Sequence, residues 1–244
     1  MTLVITELSK YGIAMVADSA VTEVLKLPSG RTIARVLTGV RKLQVIPYLG
    51  AGISVWGLGS ILLENTQVPT DLWLNDFIER HSGTGSIDEF AKRLTEELRS
   101  AVGMKTDALG FHLAGYVEVN SKRLPTFYHV RNVEGDFVSS YSFHEFVPGH
   151  DMPPREFDDE ILTTRNGDYG PYALLVKAVE NALPAIKTVK GLTIPHSSLQ
   201  GRVAYLAAWV RFVSDLYASS GVPRTIGGDV AALGITPDGQ IMAF

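Results

Sequence analysis

The chain has 244 residues, of which 45% are hydrophobic and 20% charged, the composition of a globular protein long enough to bury a large core. Lys+Arg 22 against Asp+Glu 26 gives a net charge of −4, so bulk electrostatics offers no drive toward nucleic acid or an anionic membrane. The absence of cysteine excludes disulfides, thiolate catalysis and thiolate-bound metals.

The chain opens with "MTLVITELSKYGIAMVADSAVT", read as two strands, 2–8 and 13–18, around a turn at "SKYG" where Gly12 can take a positive φ. No basic segment followed by an apolar one precedes them, which predicts no secretory leader, and no apolar run is long enough for a membrane span; a cytoplasmic protein is expected. "KLPSGRTIARVLTGVR" is polar and broken by Pro28 and Gly30, a loop or a pair of short strands. "KLQVIPYLGAGISVWG" reads as a hairpin turning near Pro47. A short helix is expected over 71–80. A stronger one begins at "SIDE", where Ser86 and Glu89 have capping-box spacing and Ile87, Phe90, Leu94, Leu98 and Ala101 share one face.

The pattern then returns to strand in "GFHLAGYVEV" and "LPTFYHVRNVEGD", separated by "NSKR". Ser139 to about Asn166 is polar, with Pro and His. "GPYALLVKAVENAL" places Pro171 in a first helical turn, and a long helix from about Ser197 to Ser219 aligns Val203, Leu206, Val210, Val213 and Tyr217. "DVAALGITPDGQIMAF" closes the chain as a hairpin through "TPDG". Strands grouped in hairpins, with helices between the groups and no linker, predict one α+β domain over 1–244: two antiparallel sheets covered by helices.

Three residues carry the chemistry. A threonine at position 2 is most often only a β-former, but methionine before a small residue is normally removed. That would leave Thr2 with a free α-amine, pKa about 7.7–8.0, a general base on the same residue as the hydroxyl nucleophile. Asp18 alone would be a strand-end carboxylate capping a turn, and Lys42 alone a solvated strand-edge lysine. If strands 2–8, 13–18 and 42–46 lie in one sheet, the three sit together near a single edge, where Lys42 lowers the pKa of hydroxyl and amine and Asp18 holds the ammonium.

With these residues in view, "TLVITELSKYGIAMVADSAVT", "RKLQVI" and "GAGISVWG" resemble the N-terminal threonine, "GIVLAADSRAT"-like hairpin, "KKIHKI" and glycine-containing strand of the proteasome β-type N-terminal nucleophile (Ntn) hydrolases. "AGYVEVNSKRLPTFYHVRNVEGD" and "TIGGDVAALGITPDG" are similar to that family's "GGYDKNGPRLYRVDPDG" and "SGGVVDVYVITKDG". The resemblance implies a four-layer αββα sandwich and a threonine endopeptidase in which Thr2 matches the catalytic threonine, Asp18 the buried aspartate and Lys42 the catalytic lysine. Ser19 to Thr22 would form one rim of the cleft, with the Thr22 backbone pairing with an extended polypeptide substrate. Either Gly52 or Ser54 would supply the oxyanion-hole N–H.

The sequence departs from the family where "RDAYSGG" is replaced by "SGVPRTIGGD", which keeps the glycine pair as Gly227 and Gly228 but lacks the preceding Asp and Ser. "NGDYGPYA" stands where a "GSGS"-like turn is usual, and Asp168 or Tyr169 is the candidate to support the threonine amine. These departures and the long 24–40 segment resemble a bacterial branch: the betaproteobacterial homologues, the Anbu type or HslV-like proteins. The resemblance further implies a homo-oligomeric double ring of six or seven subunits, with seven expected, an inner chamber, and in some relatives an ATP-driven unfoldase. It implies no metal or organic cofactor. Two rival readings carry the same fold: a non-catalytic ring-forming shell subunit, and an Ntn amidohydrolase acting on a small amide.

The remaining signals are weaker. "GAGISVWG" also suggests a dinucleotide loop, but Val55 stands where the third glycine belongs and hairpins precede it. No histidine has ligand spacing; His144 and His150 beside Asp151 read as loop residues, and Asp158, Asp159 and Glu160 as a solvated acidic run.

Overall fold

Leu3–Ser9 (β1) and Gly12–Asp18 (β2) pair antiparallel, and every residue of both strands is buried. Alternate side chains leave a strand on opposite faces, so burial of all of them means that both faces of this hairpin are covered. The computed structural model describes residues 2–63, 66–101, 108–134, 136–146, 161–190, 198–220 and 225–244.

After β2 come β3 (Val21–Lys26), β4 (Thr32–Leu37), β5 (Leu43–Ile46), a 3₁₀ turn at Pro47–Leu49, β6 (Ala51–Gly57), β7 (Ser60–Leu63) and β8 (Thr66–Pro69). Helices α1 (Thr70–Arg80) and α2 (Ile87–Ala101) precede β9 (Leu109–Val119), β10 (Lys122–Glu134), β11 (Asp136–Phe146) and β12 (Leu162–Gly167). Helices α3 (Gly170–Lys190) and α4 (Leu199–Ser219) are followed by β13 (Val230–Ile235) and β14 (Ile241–Ala243).

One sheet has the order β12-β1-β2-β13-β14 and the other β11-β10-β9-β6-β5, all neighbours antiparallel. Leu8, Ile13, Met15 and Leu233 of the first sheet meet Ala114 and Phe127 of the second, forming the inner layer contact. Leu3, Ile5 and Val16, on the opposite face of the first sheet, pack against Tyr172 of α3 and Val203, Leu206 and Val210 of α4. Ile53, Phe111 and Leu113 of the second sheet pack against Phe77 of α1 and Phe90 and Leu94 of α2. Each such fully buried side chain contributes about 1.5–3 kcal/mol. The result is the four-layer αββα sandwich of α+β class.

Local signals place the helices where the sequence does. Ser86 Oγ accepts from the Glu89 amide at 3.1 Å while the Glu89 carboxylate reaches back to the Gly85 amide at 3.3 Å. Ser198 caps α4 by accepting from Gly201 N–H at 3.1 Å. The "NSKR" turn has positive φ at Asn120 (51°) and Ser121 (61°), the twist that joins two strands directly.

The segment that begins at Lys26, read as a loop or a pair of short strands, belongs to the strand pair β3 with β4. Two segments differ from expectation. Residues 60–63 and 66–69 pair as a second small hairpin, β7 with β8, ahead of α1. The polar stretch from Ser139 contains the end of β11 and all of β12, each the outer strand of its sheet. Edge strands have one partner, and their polar residues obscure the apolar alternation that marks a central strand. His150, Asp151 and the acidic run 158–160 lie outside the described residues, as does the side chain of His144.

Candidate active site

The site forms at the end of the sandwich where β1 begins and β2 ends. In the antiparallel pairing Val4 lies opposite Ala17, which brings Thr2 and Asp18 to the same end of the hairpin. Lys42 precedes β5, which belongs to the facing sheet rather than, as expected, to the sheet of β1 and β2, and it reaches across between the layers. All three are buried: Thr2 is 2% exposed, Asp18 1% and Lys42 3%.

Thr2 Oγ1 donates to Asp18 Oδ1 at 2.6 Å. Lys42 Nζ donates to Asp18 Oδ1 at 3.0 Å, to Thr2 Oγ1 and to the Ala20 carbonyl, so all three ammonium protons have acceptors. Asp18 also accepts from the amides of Leu3 (2.8 Å), Ala20 (3.1 Å) and Gly227 (3.1 Å). A carboxylate held by three amides, a hydroxyl and an ammonium is fixed in place. Burial pushes the Lys42 ammonium below the ordinary lysine value, and the charge of Asp18 and its hydrogen bond pull it partly back.

Asp168 supports Thr2 through its backbone: its N–H donates to the Thr2 carbonyl at 2.7 Å. The Asp168 carboxylate is in turn held by Thr225 Oγ1 at 2.8 Å and by the Tyr217 hydroxyl. Gly167, with φ of 95°, lies so close that a Cβ there would stand 1.7 Å from the Thr2 carbonyl oxygen. Tyr169, the alternative support, is 46% exposed. Gly227 lies beside Asp18, donating its N–H to the carboxylate and accepting from the Ser19 amide at 3.1 Å.

A cleft opens over Thr2 and Lys42, lined also by Thr22, Val40, Trp56 and Gly57 among others, while Asp18 lies beneath them and does not line it. Thr22 is thus one of its lining residues. Ser19 does not line it: its side chain is 6% exposed and its hydroxyl accepts from the Gly39 amide at 3.3 Å.

The expected oxyanion residues also lie elsewhere. Gly52 is inside the sandwich, where a Cβ would meet Met15 Sδ at 2.7 Å, and it is flanked by Val45 and Ala114. Ser54 is 1% exposed and flanked by Leu43 and His112. With a strand on each side, the sheet ladder takes up the backbone groups of both residues. The cleft instead reaches β6 at its C-terminal end. The Val55 N–H donates to the Lys42 carbonyl at 2.8 Å, and strand alternation turns the Gly57 N–H to the same side. There β5 has not yet begun, so that N–H points toward the cleft. Gly57 has φ of 95°, and a Cβ would stand 2.1 Å from the Ala108 carbonyl oxygen, which explains why glycine occupies the position. The signal in the sequence is a glycine that ends the alternating run "ISVWG".

Among the described residues, no group of three His, Asp or Glu is placed to hold a metal ion, and no helix is long and apolar enough to cross a membrane. No family model and no curated protein sequence matches the chain. Among solved structures the chain is similar to a Gly-1 mutant of Anbu from Hyphomicrobium sp. strain MC1, with 11% identity, a TM-score of 0.55, and coverage of 99% of this chain and 85% of that one. The likeness is one of fold: the chain shares the two-sheet sandwich covered by helices with that protein.

Proposed function

We propose that the chain is a threonine-type endopeptidase. The observation that carries this reading is the buried triangle of Thr2, Asp18 and Lys42, of which Thr2 and Lys42 line a cleft. Removal of Met1 would give Thr2 a free α-amine. The Thr2 hydroxyl then attacks a peptide carbonyl, and the amine takes its proton. Lys42 favours the alkoxide by its charge, while Asp18 fixes both partners. The Gly57 N–H stabilises the oxyanion of the tetrahedral intermediate. The protonated amine passes its proton to the leaving amine, and water cleaves the resulting ester with the amine again as base.

In this reading the substrate is an extended polypeptide held along the rim that contains Thr22. The whole chain acts as one domain in a cytoplasmic double ring of six or seven copies, with the clefts facing inward. Exposed apolar side chains on the outer helices, Leu174 (73%) of α3 and Phe212 (47%) and Leu216 (42%) of α4, support self-association. An ATP-driven unfoldase would be needed for folded substrates.

Hydrolysis of a panel of fluorogenic peptides by wild type and Thr2→Ala tests the proposal. The expected result is turnover by wild type and none by the variant, with equal particle mass. Unchanged hydrolysis in Thr2→Ala removes Thr2 from the mechanism. Turnover confined to small amides favours the amidohydrolase, and no turnover by either form favours the scaffold.

A further inference from the structure

A second cavity, of about 390 Å³, lies on the other side of the first sheet, between that sheet and helices α3 and α4. Thr163 and Arg165 of β12, Glu7 of β1, Tyr172 and Lys177 of α3 and Arg202 of α4 all line it. The register explains the grouping. Ile5 pairs with Arg165 and Glu7 with Thr163, so these side chains leave the sheet on the helix-covered face, opposite to the inner layer.

Three cationic side chains meet one carboxylate here, and that carboxylate is already taken. Glu7, 1% exposed, accepts from Arg202 Nε at 2.7 Å with one oxygen and from Arg202 Nη2 with the other. Arg202 is 6% exposed and its guanidinium lies over the Tyr205 ring at 5.2 Å, while its third nitrogen, Nη1, makes no hydrogen bond to a described residue. Arg165 lies over the Tyr172 ring at 5.8 Å, and neither it nor Lys177 forms an ion pair among the described residues. A buried guanidinium with one fork occupied and one nitrogen left over is suited to accept an anion. Arg165 and Lys177, without an ion pair among the described residues, add positive charge in the same direction.

We propose that this cavity binds a small molecule through a phosphate or carboxylate group. The oxyanion meets Arg202 Nη1, Arg165 and Lys177, and the body of the ligand lies against Tyr172 and Leu206. The Glu7–Arg202 pair is the fixed floor that aims Nη1 into the space. The site is independent of the Thr2 cleft and of its peptidase reading.

Calorimetric titration of the intact protein with phenyl phosphate and with benzoate, at constant ionic strength, tests the site. Arg165→Ala/Lys177→Ala is the variant, because both side chains are accessible while Arg202 and Glu7 stay in place. Lys92→Ala, on the outer face of α2, controls for general charge. The expected result is saturable binding of at least one probe, one per chain, weakened about tenfold or more in the double variant and unchanged in the control. Which probe binds identifies the group recognised. Binding of neither probe, equal affinity in the double variant, or an equal loss in Lys92→Ala overturns the proposal.

Discussion

The Thr2 hydroxyl donates to Asp18 Oδ1 at 2.6 Å, so in this geometry the proton of the candidate nucleophile is held by a carboxylate rather than by a base poised for catalysis. Asp18 meanwhile ties the start of β1, the end of β2, the Gly227 loop and Lys42 to one point. In such an arrangement Asp18 orients the hydroxyl, and the proton acceptor for attack must come from elsewhere. In the mechanism proposed above, that acceptor is the α-amine that removal of Met1 would create.

Asp18→Ala strands three buried amide donors and the Lys42 ammonium. It is expected to abolish turnover and to cost about 3–5 kcal/mol in urea unfolding. Lys42→Met leaves Asp18 with its amide donors and the Thr2 hydroxyl. It should abolish turnover equally while costing clearly less stability. Similar stability losses in the two variants would mean that the lysine, not the amide set, anchors the carboxylate.

The two glycine assignments on β6 separate by mutation. Gly57→Ala forces a left-handed residue and a clash with the Ala108 carbonyl, displacing the N–H at the cleft. A loss of about a hundredfold or more in kcat is expected. Gly52→Ala meets only the flexible end of Met15 and the Leu233 methyls, so it should lower stability modestly and leave kcat within a fewfold of wild type. The opposite order would return the oxyanion role to the middle of the strand.

Gly167→Ala tests the support of Thr2 from β12. Its Cβ cannot coexist with the Thr2 carbonyl at 1.7 Å, so the first residues of β1 must shift. The variant is expected to lose kcat by at least about tenfold, with a small change in KM, measured by steady-state hydrolysis of one peptide.

His112 makes stability pH-dependent. Its ring bridges the sandwich, contacting Thr6 Oγ1 at 3.0 Å and Asn166 Oδ1 at 2.7 Å, and burial pushes it from 6.5 down to about 4. Its folded value lies below its unfolded one. Between about 6.5 and about 4 the unfolded chain therefore binds a proton that the folded chain does not. This contribution is complete well above the upper value and declines as pH falls, by about 1.5 kcal/mol from pH 6.5 to 5. Urea unfolding of wild type and His112→Gln at both pH values should show the smaller change in the variant. Parallel pH dependence would assign the titration to other groups.

The paired hairpins, the helix stripes and the Thr2, Asp18 and Lys42 set were legible because each depends on short-range patterning: period-2 runs, capping spacing and residues at strand ends. The β7–β8 hairpin was not, because "SILLENTQVP" carries no Gly turn signal and continues an apolar run. The edge strands β11 and β12 were masked by their serines and threonines. Choosing among Gly52, Ser54 and Gly57 required knowing where β5 begins relative to β6, a tertiary fact. Ser19 fell outside the cleft for a similar reason: the Gly227 loop, more than two hundred residues away in sequence, packs over it.

The most direct test of the account is the intact mass of the purified protein before and after treatment with an α′,β′-epoxyketone peptide, which forms a stable ring with a hydroxyl and a free amine on one residue. The expected result is a chain lacking Met1 that gains one stoichiometric adduct, mapped to Thr2 and absent in Thr2→Ala. A chain lacking Met1 that stays unlabelled, while hydrolysing peptides, would contradict it.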